Sequence, residues 1–375
     1  MRILHTEASC GWGGQEIRIL TEARGMQARG HEVRLVCPPS ARIYTEAPRF
    51  GIPVEALAIE RKSMAGLRAM RSYLSAKRRM SFDIVNCHSS TDTWLTALAL
   101  MGRAAAPALV RTRHVSAPVA NNLTTKWLYR GASAMVVTTG EALRVDLVER
   151  NGLDPARVVS VPTGIDLAHY TPPSGDQRAG ARRMLSVDDK SFVIGIVATL
   201  RSWKGHRYLV EATAALKSQG RNVRLVIVGD GPQRRLLEQQ VEEAGLGGVV
   251  DFRGNQHEVT PFLHAFDVFA LPSYANEGVP QAILQAMACA VPVVTTDAGA
   301  IGEVAQDEDT ALVVAREDAK ALAGALARVQ DDPAAAKVRA QRAHDKVAAR
   351  HSLAAMLDQM EQVFQSALSR RDLFT

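Results

Sequence analysis

The chain is predicted to be an α/β protein built from two doubly wound, Rossmann-like domains. Three observations lead there. Residues 268–304 read as strand, loop, helix and strand. The apolar run Val268–Leu271 comes first and the loop Ala275–Gly278 follows. Pro280 opens a helix with Ala282, Ile283, Ala286 and Met287 on its buried stripe, and Ala290–Thr295 is a second apolar run. Residues 2–37 hold another strand–helix–strand unit. Between the two, Pro172-Pro173-Ser174-Gly175 breaks the pattern, and Phe192–Ala198 opens a fresh buried strand. A length of 375 residues accommodates two domains, and 47% hydrophobic residues supply two cores.

In the first half, Arg2–His5 is a strand. Gly11-Trp12-Gly13-Gly14 leads into a helix carrying Ile17, Ile19, Leu20 and Ala23, which Gly30 ends, and His31–Cys37 is the next strand. The loop is not G-x-G-x-x-G, and Pro38 and Pro39 stand where a dinucleotide site needs an acidic residue, which argues against a dehydrogenase. The Gly13-Gly14 pair has two readings: backbone brought close to a phosphate, or a plain tight turn. Gly51–Ala58 is a third strand region. Ser63–Arg79 is an amphipathic helix, apolar at Met64, Leu67, Met70 and Leu74 and basic at Arg68, Arg71, Lys77, Arg78 and Arg79, with Arg61 and Lys62 before it. Its basic side is either a solvated face or a surface for anionic lipid.

Phe82–Cys87 is a strand followed by the polar turn His88-Ser89-Ser90-Thr91-Asp92. Trp94–Met101 is a helix, and Ala108–Arg111 a strand ending in Arg111-Thr112-Arg113-His114. Three potential cations at one strand terminus call for an anion nearby. His114 is either a structural histidine or a site residue. Ala134–Thr138 and Val158–Val161 close the first domain, which is expected to span 1–168, with a linker at 169–190.

The second domain, expected at 191–352, opens with Phe192–Ala198. The loop Thr199–His206 places Arg201 and Lys204 at a strand–helix junction, where cations neutralise a diphosphate. Arg224–Val228 is followed by Gly229-Asp230-Gly231-Pro232, with Asp230 a candidate helix cap. In parallel sheets ligands sit beyond the carboxyl ends of strands, which is where Glu277 and Gly278 fall. Glu277 accepts hydrogen bonds and Gln285 both donates and accepts, so the pair suits a sugar's hydroxyl groups. The alternative is a solvated Glu277 and an outward-facing Gln285. Two helices, at about 334–350 and 352–369, end the chain.

A net charge of +6 fits nucleic acid, an anionic membrane surface or anionic small molecules equally. No RNP1-like run or zinc spacing favours nucleic acid, and none is expected as a partner. The cysteines at 10, 37, 87 and 289 form no C-x-x-C and read as free thiols in a reducing compartment, with Cys10, Cys37 and Cys87 buried at strand ends. The chain opens on the strand MRILHTEAS without a leader-type apolar region, and no apolar stretch approaches a membrane span. A cytoplasmic protein is expected, at most peripheral to the cytoplasmic face of a membrane.

Glu277, Gly278, Pro280, Ala286, Met287, Ala288, Pro292, Val293 and Val294 stand in a run that resembles the nucleotide-sugar site of family 4 of the retaining glycosyltransferases. That family has the GT-B fold, two doubly wound domains facing across a cleft. Its second Glu falls here at Gln285, and its usual Gly at Ala290. Matching segments follow in order along nearly the whole chain. Gly13, Gly14 and Glu16 match a G-G-x-E segment, and Pro162–Asp166 resembles the N-G-V-D turn that leaves the first domain. Lys204-Gly205 closes the family's R-x4-K-G pattern, with Thr199 at the Arg position and Arg201 as the replacement charge. Gly229–Pro232 matches G-D-G-P, and Val249–Gly254 resembles the segment lying against the base.

The resemblance implies a nucleotide diphosphate sugar as donor substrate, with no cofactor. Glu277 and the Gly278-Val279-Pro280 turn lie on the donor, Gln285 takes the ribose hydroxyls, and Gly13, Gly14, Gly229, Asp230 and Gly254 line the donor site. His114 contacts the donor near the reacting centre, while His88, with Ser89 beside it, is nearer the acceptor. Lys204 and Arg201 stabilise the leaving diphosphate without a metal. Retention, a sugar or lipid-linked acceptor of the cell envelope, and a terminal helix at 353–375 crossing back to the first domain are further implications. A nucleotide-sugar epimerase of the same fold and a non-catalytic nucleotide-sugar binder remain as alternatives.

Overall fold

The computed structural model describes residues 1–76, 81–103, 106–114, 118–275 and 277–372. Seven strands form the first sheet: β1 (Arg2–Thr6), β2 (Glu32–Cys37), β3 (Val54–Ala56), β4 (Ile84–Cys87), β5 (Ala108–Arg113), β6 (Met135–Thr138) and β7 (Val158–Ser160), in the order β3-β2-β1-β4-β5-β6-β7. Six form the second: β8 (Phe192–Val197), β9 (Val223–Val228), β10 (Val250–Gly254), β11 (Val268–Leu271), β12 (Val293–Thr296) and β13 (Leu312–Val314), in the order β10-β9-β8-β11-β12-β13. Both sheets are parallel throughout. The fold is therefore two doubly wound α/β units. Helices cover both faces of such sheets, which is why the strands are near-continuous apolar runs rather than alternating ones. Ile3, Leu4, Val85, Val110, Ile194, Ile227, Phe269 and Val294 are all fully buried.

Each sheet grows in two directions from one strand. The order reverses between β1 and β4 in the first and between β8 and β11 in the second, the switch points at which open α/β sheets take ligands.

The chain divides into two units, Met1–Thr163 with the residues from Ala354 on, and Gly164–Leu353. Residues 169–190, expected as a linker, belong to the second unit. They hold the helix Gly175–Met184, whose Ala181 is buried with Leu185 in that unit's core and whose Arg178 and Arg182 pair with Asp267. The Pro-Pro-Ser-Gly run is a helix start rather than a tether. Ser174 accepts from the Gln177 amide, and the Gln177 side chain reaches back to the Ser174 amide, forming a capping box. The terminal helix Leu353–Asp372 packs within the first unit. There Glu361 pairs with Arg29 and His31, and Asp358 with Arg29.

The basic helix covers Met64–Ala76. Met70 and Leu74 enter the core, while Arg61, Lys62, Arg68 and Arg71 are exposed. Lys77, Arg78 and Arg79 lie outside the described residues, as does Asn276 of the loop Ala275–Gly278. Among the described residues no helix is long and apolar enough to cross a membrane. Cys37, Cys87 and Cys289 are buried free thiols. Cys10, expected to be buried too, is exposed, because it lies in the loop beyond β1 rather than on the strand.

Candidate active site

In the second unit, the segments following β8 and β11 meet at the switch point. Lys204 ends a short 3-10 turn, Ser202–Lys204, and its Nζ lies 2.7 and 2.9 Å from the two carboxylate oxygens of Glu277. Ser273, just past β11, donates to Glu277 Oε1 at 2.6 Å. Glu277 is 4% exposed, so its charge depends on these two partners. Two glycines make the approach possible. Gly205 has φ +74, and a Cβ there would lie 1.9 Å from the Pro272 carbonyl oxygen. Gly299 has φ +58, and a Cβ would lie 2.0 Å from the Glu277 carbonyl oxygen. The Ala300 amide donates to that same oxygen at 3.1 Å. Gly278 is half-buried, Val279 and Pro280 are buried, and Pro280 is the N-cap of the helix Gln281–Ala288, which follows Glu277 closely in the chain.

Other sequence-matched residues of this unit stand apart from the ion pair. Arg201 is exposed, its guanidinium 5.8 Å from the centre of the Trp203 ring. Gln285 is buried, not outward-facing, and donates from Nε2 to the Tyr170 hydroxyl at 2.8 Å. Burial pushes the Tyr170 hydroxyl up from its ordinary pKa, so it stays neutral. Gly229 and Gly254 are joined by an N–H···O bond of 2.8 Å, tying the ends of β9 and β10. Asp230 is exposed and accepts from the next amide, Gly231, at 2.7 Å. It does not cap the following helix, which starts only at Arg234. The chain's Asp-x-Asp run, Asp307-Glu308-Asp309, is occupied elsewhere: Asp307 accepts from Val313, and Glu308 and Asp309 pair with Arg328 and Arg342.

The first unit's candidate residues meet at its own switch point. His5 near the end of β1, His88 just past β4 and His114 just past β5 form one chain of imidazoles. His5 Nδ1 lies 2.9 Å from His88 Nε2, and His88 Nδ1 lies 2.9 Å from His114 Nε2. Adjacent ring centres are 5.2 Å apart. His5 and His88 are buried and His114 half-buried. Burial holds His5 down to about 3. It also holds His88 and His114 well below the ordinary histidine value, helped by the cations Arg111 and Arg18, so all three rings are neutral.

Below this chain lies a buried polar layer. Thr112 donates to Asn86, Asn86 donates to Glu22, and Glu22 faces Arg18, which donates to the Val161 carbonyl. On the other side of the sheet, Asp92 accepts from Thr6 and from the His88 and Ser89 amides, and lies within the field of Arg111. Burial pushes the Asp92 carboxyl above its ordinary value against the pull of Arg111, whose guanidinium donates to the Cys87 and Thr112 carbonyls. Ser89, expected on the acceptor, has its hydroxyl engaged with Asp92 as the N-cap of Ser90–Leu100. Gly13 caps the helix Gly14–Ala28 with extended backbone. Its amide and the Ser9 hydroxyl lie against the Glu16 carboxylate, which burial pushes above its ordinary value.

Four residues escaped the sequence reading. His5 carried a signal, a histidine directly after the apolar pair Ile3-Leu4 near the end of β1. Ser273 follows a strand end directly. Tyr170 and Glu7 carried none. Glu7 is fully buried behind β1, and burial together with Asp92 and Glu16 pushes it up to about 8.

The family model of glycosyltransferase family 4 matches residues 12–169, and that of glycosyl transferases group 1 matches residues 178–346. This chain belongs to the family 4 glycosyltransferases. It is 28% identical over 356 residues to a D-inositol 3-phosphate glycosyltransferase of Corynebacterium efficiens, across 85% of this chain and 82% of the relative. It is 32% identical over 225 residues to a putative colanic acid biosynthesis glycosyltransferase, WcaL, of Salmonella typhimurium, across 57% and 52%. Among solved structures it resembles Anabaena HepE in complex with UDP and glucose, with a TM-score of 0.86, 22% identity, and coverage of 98% of this chain and 100% of that one. The likeness shows that this glycosyltransferase has the GT-B fold. Its candidate groups form two sets, Lys204–Glu277–Ser273 in the second unit and His5–His88–His114 in the first.

Proposed function

We propose that this glycosyltransferase moves a sugar from a nucleotide diphosphate sugar to a hydroxyl of a cell-envelope glycolipid or polysaccharide, with retention and without a metal. The bond from the anomeric carbon to the diphosphate oxygen breaks, and a bond to the acceptor oxygen forms. The acceptor's hydroxyl proton leaves with the nucleoside diphosphate. The observation that carries the reading is the Lys204–Glu277 pair at the β8/β11 switch point, just ahead in the chain of the helix Gln281–Ala288. The name of the Corynebacterium relative, the colanic acid relative and the UDP and glucose of the HepE complex support it.

The ammonium of Lys204 has three donors and uses two on Glu277, so one remains for a diphosphate oxygen. As the leaving group gains charge, that contact and the helix amides strengthen in a site with little water. Arg201 adds a second cation at the same loop. Glu277 orients the sugar hydroxyls, Gln285 the ribose, and His114 a sugar oxygen near the anomeric carbon, with His88 behind it toward the acceptor. The exposed Arg61, Lys62, Arg68 and Arg71 hold the enzyme at anionic lipid on the cytoplasmic face of the membrane.

Thermal stabilisation against UDP, GDP, ADP and CMP and their sugars, with and without EDTA, tests the donor. A ligand at a hundred times its dissociation constant adds about 2.7 kcal/mol. A shift for one diphosphate series, unchanged by EDTA, is expected. No shift with any of them would overturn the reading in favour of a chain that has lost its donor site. Product NMR tests retention, and release of free nucleotide without an acceptor would favour an epimerase.

A further inference from the structure

The three-histidine chain has a consequence for the direction of its hydrogen bonds. A neutral imidazole carries one N–H and one lone pair, so one ring's tautomer dictates its neighbour's. Only two arrangements satisfy both 2.9 Å contacts. In one, His5 Nδ1–H donates to His88, His88 Nδ1–H donates to His114, and His114 presents Nδ1–H. In the other, every bond is reversed, and the spare N–H falls on His5 Nε2. That atom is buried without a partner. An orphaned buried N–H is the rarer and costlier defect.

Resting on the reading of His114 as a donor contact, we infer that His5 is a positioning residue that fixes the tautomers of His88 and His114, so that His114 offers a permanent Nδ1–H to an oxygen of the substrate. His114 then acts as a hydrogen-bond donor and not as a general base. No bond joins His114 Nδ1 to another described residue, and the side chain is half-buried, so this nitrogen is available. The charged groups around the chain agree. Arg18 and Arg111 face it from the helix Gly14–Ala28 and from β5, and each disfavours an added proton.

The test is 15N NMR of the imidazole nitrogens in the intact protein, followed by His5→Phe and His5→Asn. In the wild type, His5, His88 and His114 are expected to be neutral and protonated at Nδ1. In His5→Phe, His88 and His114 lose their fixed tautomer, and kcat falls roughly tenfold with KM for the donor within about twofold, the loss of one well-placed hydrogen bond. His5→Asn, whose amide nitrogen replaces Nδ1 as donor to His88, restores both. An Nε2–H tautomer at His88 or His114 in the wild type overturns the inference without any variant, as do unchanged tautomers in a folded His5→Phe. Scrambled tautomers with unchanged turnover uphold the tautomer chain and overturn instead the placement of His114 at the donor.

Discussion

The two units share a sheet that grows both ways from its first strand, yet they hold their site groups by opposite means. The second unit keeps a formal ion pair, Lys204–Glu277, with Lys204 18% and Glu277 6% exposed at the side chain. The first keeps its groups neutral and buried. Three histidines are held deprotonated, and Glu7 and Glu22 are pushed up to about 8 and 7, chiefly by burial. A switch point fixes where a site lies in such a fold. The side chains delivered there decide whether it works through charge or through oriented neutral hydrogen bonds.

The sharpest way to break the comparison is to remove the charge. Lys204→Ala strands a carboxylate that is 4% exposed, and about 3–5 kcal/mol of the second unit's stability is expected to go with it. Turnover falls at least about tenfold, since a lost bond to a charged group is worth roughly 1.5–3 kcal/mol. Replacing both partners, Lys204→Met with Glu277→Leu, recovers most of the stability in urea unfolding and none of the turnover. Full activity in a folded Lys204→Ala protein would remove Lys204 from the mechanism.

The contrast also explains what was legible. The second unit's site is packed into two short segments whose Lys204-Gly205 and Glu277–Pro280 runs stand in the sequence. Its glycines are readable because backbone passes against backbone there. The first unit's site is spread over β1, β4 and β5, one histidine from each, and only parallel register brings them together. His88 and His114 were legible by resemblance, while His5 looked like a buried strand residue. Ser89 and the 169–190 segment misled for one reason: Ser89–Asp92 and Ser174–Gln177 are local capping devices, which look in sequence like site residues or a linker.

Geometry gives the next effect. Gly299→Ala puts a Cβ 2.0 Å from the Glu277 carbonyl oxygen at a φ of +58, while Gly245, at φ +62, has nothing within 4 Å. The control, Gly245→Ala, is expected to cost only the left-handed penalty of about 1–2 kcal/mol. Gly299→Ala adds overpacking, for a total of roughly 2–5 kcal/mol, and lowers turnover through the displaced Glu277. Equal losses in the two variants would show that the loop yields freely and that Gly299 does not hold the carboxylate in place.

The two units are expected to differ in their response to alkali. In the first, Glu7 and Glu22 have raised values, so the folded state holds protons that the unfolded state releases. The stability they contribute is complete below the unfolded value near 4.5 and is lost as pH rises to about 8. In the second, His206 and His351 are held down to about 3 and 4 by burial. Their contribution is complete above about 6.5 and is lost as pH falls through about 4. Hydrogen exchange resolved by peptide is therefore expected to show the first unit alone loosening from pH 6.5 to 8, while acid draws on buried neutral histidines in both units, His5, His88 and His114 in the first and His206 and His351 in the second. Glu7→Gln flattens the alkaline limb of the first unit alone. An unchanged slope in that variant would place the alkaline sensitivity elsewhere.

The smallest expected effect asks whether the second unit gains from more charge. Gln285 donates to Tyr170 at 2.8 Å. An ionised glutamate has no hydrogen to give, so in Gln285→Glu the bond must reverse, with the Tyr170 hydroxyl donating. Burial keeps that hydroxyl protonated, so the donor is at hand. A charge-assisted bond then offsets the cost of burying the new carboxylate. Nucleotide affinity measured by titration is expected to hold or tighten, with stability changed by no more than about 1 kcal/mol. Adding Tyr170→Phe removes the only side-chain donor placed on this position among the described residues, and the carboxylate is then buried without a partner, so affinity and stability both drop. A large loss of affinity in Gln285→Glu alone would instead mean that the amide's own N–H, and not a lone pair, is what the nucleotide site requires at this position.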